Sequence, residues 1–307
     1  MLPVTRPASK QPNVHRAASG VSLPASTTNE RPTPFVKWAG GKGQLVSRFL
    51  ERFPPPDRCA RYFEPFLGGG AVYLALRPRR AVLSDLNADL MNAWRVVRDD
   101  PEALMRALDS HVYEREQYYQ VRAQNPEELD PVARAARFVY LNKTCYNGLY
   151  RVNREGRFNV PFGRYARPPR FYDRENLLAI SHLLRTADLR CAPFEEATAD
   201  AAAGDFVYCD PPYDPLSKTS NFTSYTEGSF TRDDQQRLAA HVRELDRRGC
   251  LVAVSNSDTP EIRRLYQGFR IEQVATPRFI NCKANGRTPV QELLILNFDF
   301  GWQEGSR

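Results

Sequence analysis

The sequence lacks the features that would place the protein in a membrane or outside the cell. No apolar run among its 307 residues approaches the roughly 18 residues of a membrane-spanning helix, and charged residues make up 26% of the chain. The N-terminus has no apolar signal core, so the sequence predicts a cytoplasmic protein that does not associate with membranes. The length exceeds one average domain, which favours a main domain carrying an insertion.

Closely spaced cysteines are also missing. Without such pairs the sequence offers no zinc site, and a cytoplasmic protein does not depend on a disulfide framework. We therefore expect all six cysteines to be thiols in or near the hydrophobic core. They are Cys59, Cys145, Cys191, Cys209, Cys250 and Cys282.

A phosphate-binding loop is absent as well. The Gly-Gly-Lys at positions 40–42 lacks the earlier glycine of that motif, and Gly43 stands where it needs Ser or Thr. Residues 1–33 are rich in Pro, Ser, Thr and Ala, and we predict that they form a disordered basic tail. Order should begin at Phe35, before a short helix with Leu45, Val46 and Phe49 at helical spacing.

A strand, a glycine turn and a helix follow in order from residue 61 to residue 76. The turn Gly68-Gly69-Gly70 allows the backbone to approach a nucleoside closely. A second strand, residues 81–84, ends at Asp85, where Rossmann-like sheets hold ribose hydroxyls. Either signal alone is weak, and Asp85 alone could be a helix cap. Their order and spacing together favour a nucleoside-binding site.

The strongest chemical signal is the apolar run 206–209, which ends at Asp210-Pro211-Pro212-Tyr213. The two prolines force the chain out of the sheet in a stiff turn at the carboxyl end of a strand. Asp210 and the Pro211 carbonyl can accept the two hydrogens of an exocyclic amine, and Tyr213 can stack on its ring. A rigid turn capped by Asp210 is the simpler alternative for an isolated Asp-Pro-Pro. The preceding strand and Tyr213 favour amine binding.

Positive charge is concentrated in residues 131–170. This stretch has nine basic residues against Glu155, so it carries the whole excess of a chain whose net charge is +7. Aromatic residues alternate with the basic ones, which favours a surface that contacts phosphates and stacks on bases over a merely solvated face. The basic residues are Arg134, Arg137, Lys143, Arg151, Arg154, Arg157, Arg164, Arg167 and Arg170, and the aromatic ones are Tyr146, Tyr150, Phe158, Phe162, Tyr165 and Phe171.

Taken together, the motifs resemble those of the Dam family of DNA adenine-N6 methyltransferases, over about residues 35–298. They are Phe-Val-Lys-Trp-Ala-Gly-Gly-Lys from Phe35, Glu-Pro-Phe-Leu-Gly-Gly-Gly from Glu64, Ser-Asp-Leu-Asn from Ser84, Tyr-Asn-Gly-Leu-Tyr-Arg from Tyr146, Phe-Asn-Val-Pro-Phe-Gly-Arg-Tyr from Phe158, Asp-Pro-Pro-Tyr from Asp210 and Asn-Phe-Thr-Ser-Tyr from Asn221. The resemblance implies an S-adenosylmethionine-dependent enzyme that needs no metal and acts as a monomer on double-stranded DNA, with GATC as its site.

The implied fold is α/β, with a Rossmann-like sheet of seven mostly parallel strands and an antiparallel strand at its edge. The sequence pattern splits the catalytic domain into residues 34–95 and 186–300. Residues 96–185 form an inserted, mainly helical target-recognition domain with a β-hairpin at residues 151–159.

Roles carry over from the family to matching positions. The implied catalytic residues are Asp210, Pro211, Pro212 and Tyr213. The implied cofactor-binding residues are Trp38, Lys42, Glu64, Phe66, Gly68, Gly70, Asp85, Phe194 and Asp210. The implied DNA-binding residues are Lys37, Tyr146, Asn147, Leu149, Arg151 and Arg164, with Lys37 at the first guanine and Arg164 at the backbone. One position departs from the family, because Pro193 stands where many relatives carry an acid that meets the cofactor's adenine.

Two other functions fit parts of this pattern. One is a methyltransferase acting on a different amine, such as cytosine N4 or an RNA base, but such enzymes usually carry Ser or Asn at the position of Asp210. The other is a DNA-binding relative without activity, which would be expected to have lost Asp85, Asp210 or Tyr213. All three are present.

Overall fold

The computed structural model describes residues 31–43, 45–214, 230–276 and 290–299. Residues 1–30 of the predicted tail, the motif at residues 221–225 and Cys282 therefore lie outside the described residues. None of the described helices is long and apolar enough to cross a membrane.

The described residues form a seven-stranded sheet with helices packed against it. The strands are β1 (Tyr62–Glu64), β2 (Ala81–Ser84), β3 (Ala187–Arg190), β4 (Phe206–Cys209), β5 (Leu251–Ser257), β6 (Arg270–Thr276) and β7 (Val290–Leu296). The helices are α1 (Val46–Leu50), α2 (Ala71–Leu76), α3 (Ala88–Asp99), α4 (Pro101–Asp109), α5 (Arg115–Ala123), α6 (Pro131–Thr144), α7 (Arg174–Leu184), α8 (Phe194–Ala197), α9 (Arg232–Arg247) and α10 (Pro260–Leu265).

The strand order across the sheet is β3-β2-β1-β4-β5-β7-β6. Strands β1 to β5 pair in parallel, and β7 runs antiparallel to both of its neighbours. The predicted α/β class and the single antiparallel strand are confirmed, but its predicted position at the edge is wrong. Strand β7 fills the gap between β5 and β6, where both sides of its backbone find hydrogen-bond partners, and β6 forms the edge.

The central strands are buried on both faces, as expected for a parallel sheet covered by helices. In β4, Phe206 and Tyr208 point into one hydrophobic cluster, whereas Val207 and Cys209 point into the other. Helices α9 and α10 pack on the second face through residues such as Leu238. The alternating contacts fix the register of β4, and with it the direction in which the chain leaves the sheet at Asp210.

Residues between β2 and β3 are mainly helical, as predicted, and their apolar side chains join the cluster on the first face of the sheet. Helix α6 contacts α3, α4 and α5 and lies at the centre of this region. It begins at Pro131, where the Asp130 side chain accepts the N–H groups of Val132 and Ala133. Residue 96, where the predicted insertion begins, lies inside α3.

The predicted hairpin is present as a short one. Val152 and Phe158 form an antiparallel bridge, and the Asn153 N–H donates to the Arg157 carbonyl at 2.9 Å. Just before it, Tyr146–Gly148 forms a single 3₁₀ turn in which Asn147 has a φ of 54°. The Asn-Gly pair thus forms a turn, the conformation typical of this dipeptide.

The five described cysteines lie in or near the core with one exception. Cys145, Cys209 and Cys250 are buried and Cys59 is half-buried, but Cys191 is exposed. The prediction was wrong for Cys191 because β3 ends at Arg190, so this thiol lies beyond the strand.

The glycine turn between β1 and α2 is shaped by two tryptophans. Gly68 has a φ of 48°, and a Cβ there would lie 2.6 Å from the Trp38 ring. Gly70 has a φ of 68°, and a Cβ there would lie 2.7 Å from the ring of fully buried Trp94. Trp94 Nε1 also donates to the Gly68 carbonyl at 3.1 Å. The turn therefore needs glycine both for its backbone conformation and for its close packing.

We expect Gly70→Ala to destabilise the protein more than Gly204→Ala does. Both positions have positive φ, but a Cβ on Gly204 would meet nothing within 4 Å. Both variants share the backbone strain, whereas only Gly70→Ala must displace Trp94, which should cost about 1–3 kcal/mol more. Urea denaturation of both variants gives the difference. Equal free energies of unfolding would show that the Trp94 ring yields without cost.

Candidate active site

A cavity of about 1260 Å³ opens at the carboxyl ends of β1, β2 and β4. The strand order reverses between β1 and β4, because β2 and β3 continue on one side and β5 on the other. Open α/β sheets bind ligands at such a switch point. The cavity brings together all the residues predicted for catalysis and cofactor binding: Trp38, Lys42, Glu64, Phe66, Gly68, Gly70, Asp85, Phe194, Asp210, Pro211, Pro212 and Tyr213.

Asp210 lies in the cavity wall directly after β4, with 18% of its side chain exposed. Lys42 Nζ lies 2.8 Å from Asp210 Oδ1, and Ser255 Oγ donates to the same oxygen at 2.6 Å. Burial raises the pKa of Asp210, and the charge of Lys42 together with hydrogen bonds from Lys42, Ser255 and Tyr213 opposes that rise.

The Lys42 ammonium lies between the catalytic candidates. It donates to the Gly40 carbonyl at 2.7 Å and lies 4.6 Å from the centre of the Tyr213 ring, which places it against both Asp210 and Tyr213. The Lys42 side chain is only 5% exposed, so these contacts take the place of water around the charge. The same two groups are the ones predicted to hold an amine-bearing ring.

The turn that carries Tyr213 is fixed by side chains from three other elements. The Tyr213 hydroxyl donates to Glu292 Oε2 on β7 at 2.6 Å. Gln235 Nε2 on α9 donates to the Pro212 carbonyl at 2.9 Å, and Asn256 on β5 in turn donates to Gln235 Oε1 at 3.0 Å. Within the described residues the Pro211 carbonyl accepts no hydrogen bond. No donor among the described residues thus competes for the Pro211 carbonyl, which is the one predicted to accept an amine hydrogen. The Pro212 carbonyl is already bonded by Gln235.

Glu64 lies at the end of β1 and is buried. The Tyr62 hydroxyl donates to Glu64 Oε2 at 2.8 Å. Burial, together with the negative charge of Asp210, raises the pKa of Glu64 to about 8, although the Tyr62 hydroxyl and Lys42 oppose the rise. Glu64 is therefore mostly protonated at neutral pH, which leaves Asp210 as its charged neighbour.

Aromatic rings form another part of the cavity wall. Phe66 stacks on Phe194 with 5.7 Å between ring centres, and Phe230 meets the edge of Phe66 at the same distance. The guanidinium of Arg237 lies 5.5 Å from the centre of the Phe194 ring. Pro193, which also lines the cavity, offers neither an acidic side chain nor an N–H.

Asp85 bridges the glycine turn and the start of the next helix. Its Oδ2 accepts the Gly68 N–H at 3.0 Å and its Oδ1 accepts the Asn87 N–H at 2.9 Å. Burial raises its pKa, and these backbone donors oppose the rise. Each carboxylate oxygen keeps further lone-pair capacity that can face the cavity.

The predicted DNA-binding residues are exposed. Tyr146 is 54% exposed and Leu149 is 43% exposed, which is unusual for large apolar side chains. Arg151 Nε donates across the hairpin to Asn159 Oδ1 at 2.7 Å. Lys37 lies against the 146–148 turn, since a Cβ on Gly148 would lie 2.4 Å from Lys37 Cδ. Asn147 and Arg164 are exposed as well.

Some residues of the predicted basic and aromatic surface are buried or paired within the protein. Arg137 is only 4% exposed, and its guanidinium caps α5 by donating to the carbonyls of Val121 and Arg122. Arg134 pairs with Asp89 at 2.6 Å. Among the aromatics, Phe158 is buried. Counting charges along the chain cannot separate arginines that bond within the protein from arginines that face solvent. The predicted surface was therefore wrong for Arg134, Arg137 and Phe158.

Several residues in the site were missed from the sequence. Ser255 and Asn256 follow the apolar start of β5, and the polar run Ser255-Asn256-Ser257 is the signal that could have placed them at the carboxyl end of a neighbouring strand. Gln235 and Glu292 carry no such signal, because one is a polar residue on an amphipathic helix and the other an acid in a strand. Only the packing of α9 and β7 brings them to the Tyr213 turn.

Comparison with known proteins agrees with this geometry. The family model for D12 class N6 adenine-specific DNA methyltransferases matches residues 38–280. The chain is 44% identical over 286 residues to the Type II methyltransferase M.MjaIII of Methanocaldococcus jannaschii, which covers 86% of this chain and 99% of the relative. It is 39% identical over 266 residues to the DNA adenine methylase of Escherichia coli K12, which covers 85% of this chain and 94% of the relative. The chain therefore belongs to the D12 class of N6-adenine-specific DNA methyltransferases.

Proposed function

We propose that Asp210 and the Pro211 carbonyl hold the exocyclic amine of an adenine flipped out of duplex DNA, beside S-adenosylmethionine bound in the same cavity. We also propose that the target sequence is GATC. The family implies S-adenosylmethionine as methyl donor. The observation that carries the catalytic assignment is the carboxylate of Asp210 in the cavity wall, where it accepts a hydrogen bond from Ser255 and pairs with Lys42.

The donors and acceptors of the cavity fit S-adenosylmethionine. Asp85 offers carboxylate oxygens to ribose hydroxyls at the end of β2, and the Phe66–Phe194 pair offers apolar faces to an adenine ring. Trp38 and Gly68 form the wall beside Asp85, and Lys42 supplies positive charge for a carboxylate. When bound, this cofactor supplies an electrophilic methyl group. Because Pro193 stands in place of an acid, the Phe194 ring and backbone groups recognise the adenine of the cofactor.

Asp210 acts by holding the amine, not by deprotonating it. Adenine N6 is a poor nucleophile because its lone pair is delocalised into the ring, and a carboxylate with an ordinary pKa near 4 is too weak a base for it. Held by Asp210 and the Pro211 carbonyl, the nitrogen becomes pyramidal and directs its lone pair at the methyl group. Positive charge then grows beside Asp210, so the attraction strengthens toward the transition state.

Lys42 must leave its position for the base to enter. It donates to the carboxylate that the amine would use, and it lies over the ring on which the base would stack. The flipped base replaces both contacts, donating to Asp210 and stacking on Tyr213. Extruding a base costs a few kcal/mol, of which stacking on Tyr213 can return roughly 1–3 kcal/mol.

We propose that residues 96–185, together with Lys37, read and hold the DNA. Arg151 presents a guanidinium that matches the two acceptors of guanine, and Tyr146 and Leu149 present exposed apolar surface to bases. Within residues 154–170, five exposed arginines have no ion pair among the described residues, and we assign them to phosphates. They are Arg154, Arg157, Arg164, Arg167 and Arg170.

We expect Asp210→Asn to lower the single-turnover methylation rate by on the order of 100-fold or more, because the charge at the reacting nitrogen is lost. Asp205→Asn is the matched control, since Asp205 directly precedes β4, is 2% exposed and is bonded by Arg61 at 2.7 Å. It should lower stability and leave the rate within a few-fold. A rate within tenfold of wild type for Asp210→Asn would refute the assignment.

Replacing Arg151 should change sequence discrimination, whereas replacing Arg164 should not. We expect Arg151→Ala to lose roughly 1–3 kcal/mol of discrimination at one GATC base pair, and Arg164→Ala to weaken all sites about equally. The assay is kcat/KM on GATC and its single-base variants, with methylation-sensitive sequencing of a methylase-null host as the cellular readout. Arg174→Ala, which breaks an exposed pair with Glu102, is the neutral control. Methylation outside GATC would reject the proposed site.

The buried Glu64 should make stability depend on pH. Its folded-state pKa of about 8 lies above the ordinary value of 4.5, so folding takes up a proton between these values. The contribution of Glu64 to the free energy of unfolding is fully present below pH 4.5 and is lost as the pH rises toward 8. Relative to Glu64→Gln, the wild type should lose roughly 1.4 kcal/mol of unfolding free energy per pH unit in this window. Urea denaturation from pH 5 to pH 8 measures it, and parallel pH curves would contradict it.

A further inference from the structure

A buried side chain joins the segment that carries Lys37 to the turn that carries Tyr146. Asn142, on α6, is 1% exposed, and its amide group makes three hydrogen bonds. Its Oδ1 accepts the Lys37 N–H at 2.8 Å, and its Nδ2 donates to the Lys37 carbonyl at 2.8 Å and to the Gly148 carbonyl at 3.2 Å. One side chain thus holds two segments that are more than a hundred residues apart in sequence.

Further contacts hold the same two segments together. The Lys37 stem packs on Gly148 so closely that no Cβ fits there. Lys37 Nζ lies 4.7 Å from the centre of the Tyr165 ring, and the Tyr165 hydroxyl donates to the Cys145 carbonyl at 2.7 Å, directly before the turn. The position of the Lys37 ammonium is therefore set by the turn as well as by its own segment.

We propose that Asn142 is a positioning residue for sequence reading, which fixes the spacing between Lys37 and the 146–151 segment so that both ends of the target site are read in one register. The inference rests on the proposed function, and it takes Lys37 to contact the first guanine of the site and Arg151 to contact a guanine in its second half. Asn142 touches no substrate itself and acts through the backbone of Lys37 and Gly148.

The amide of Asn142 suits this task better than any similar side chain. One N–H and two carbonyls must be satisfied, and the amide offers one acceptor and two donors. An Asp of the same shape would set a carboxylate against two carbonyl oxygens, and a Leu would leave the Lys37 N–H unpaired. A fully satisfied buried amide fixes one arrangement of the groups it bonds, because any shift leaves some of them without partners.

The test compares Asn142→Asp with Thr144→Val. Thr144 lies two residues further along α6, is fully buried and donates to the Tyr140 carbonyl, so its loss perturbs the same helix end without touching Lys37. The measured quantity is kcat/KM on a GATC duplex and on duplexes changed at the first or the fourth base pair. We expect Asn142→Asp to lose on the order of tenfold discrimination at both base pairs, and Thr144→Val to keep it.

Two further variants keep the test decisive if Asn142→Asp folds poorly. They also distinguish failure of the inference from failure of the proposed function. Gly148→Ala pushes on Lys37 from the turn without changing α6, and it should lose discrimination at the first base pair. Lys37→Ala should do the same. If Lys37→Ala loses this discrimination while Asn142→Asp and Gly148→Ala keep it, the inference about Asn142 is overturned and the proposed function stands. If Lys37→Ala keeps it, the proposed reading by Lys37 fails, and Asn142 has no reading residue to position.

Discussion

The active site depends on keeping one charged carboxylate largely out of water at the carboxyl end of β4. Burying a lone charge is unfavourable, so a fold that places Asp210 there must supply a cation and hydrogen-bond donors nearby. Lys42 arrives from the N-terminal segment and Ser255 from the neighbouring strand, and both act on Oδ1. The parallel pairing of β4 with β5 is what brings Ser255 level with the end of β4, since Cys209 pairs with Val254. The register between β4 and β5 thus determines which side chain can donate to Asp210.

Glu64 shows how the same cavity limits its net charge. Two ionised carboxylates beside a single ammonium would leave the pocket negative, yet burial raises the pKa of Glu64 to about 8 and keeps it protonated near neutral pH. Lys42 and Asp210 then balance each other. A base that displaces Lys42 from Asp210 replaces an ion pair with neutral N–H donors, and this leaves the full carboxylate charge to meet the positive charge that develops on the amine nitrogen.

Local signals in the sequence were enough to place β2, β4, α2 and the turn at Asp210, because apolar runs define the strands, glycines precede α2 and prolines follow β4. They also identified the cavity residues, since the motifs follow strands whose carboxyl ends meet at one edge of the sheet. What the sequence could not show depends on tertiary partners. Strand β6 breaks the alternation of polar and apolar residues at Glu272-Gln273 and Val274-Ala275, and pairing with β7 holds it in the sheet. Arg137 looks like a surface charge until α5 supplies carbonyls for it, and Asn142 looks like any polar residue on a helix.

The residues that we propose for sequence reading and for methyl transfer share one short stretch of chain. Lys37 lies against the Tyr146–Gly148 turn, and Lys42 lies against Asp210. Trp38, which lies between the two lysines in sequence, stacks on Tyr150 with 5.5 Å between ring centres. Tyr150 belongs to the same segment as Leu149 and Arg151, and its hydroxyl reaches Asp89 on α3. In the proposed function, a base that enters the site displaces Lys42, and Lys37, five positions earlier, makes the contact that selects the site. Because Asn142 fixes the Lys37 backbone, the rearrangement at Lys42 has to be absorbed within residues 38–43. Glycines at positions 40, 41 and 43 make this the part of the segment best able to adjust.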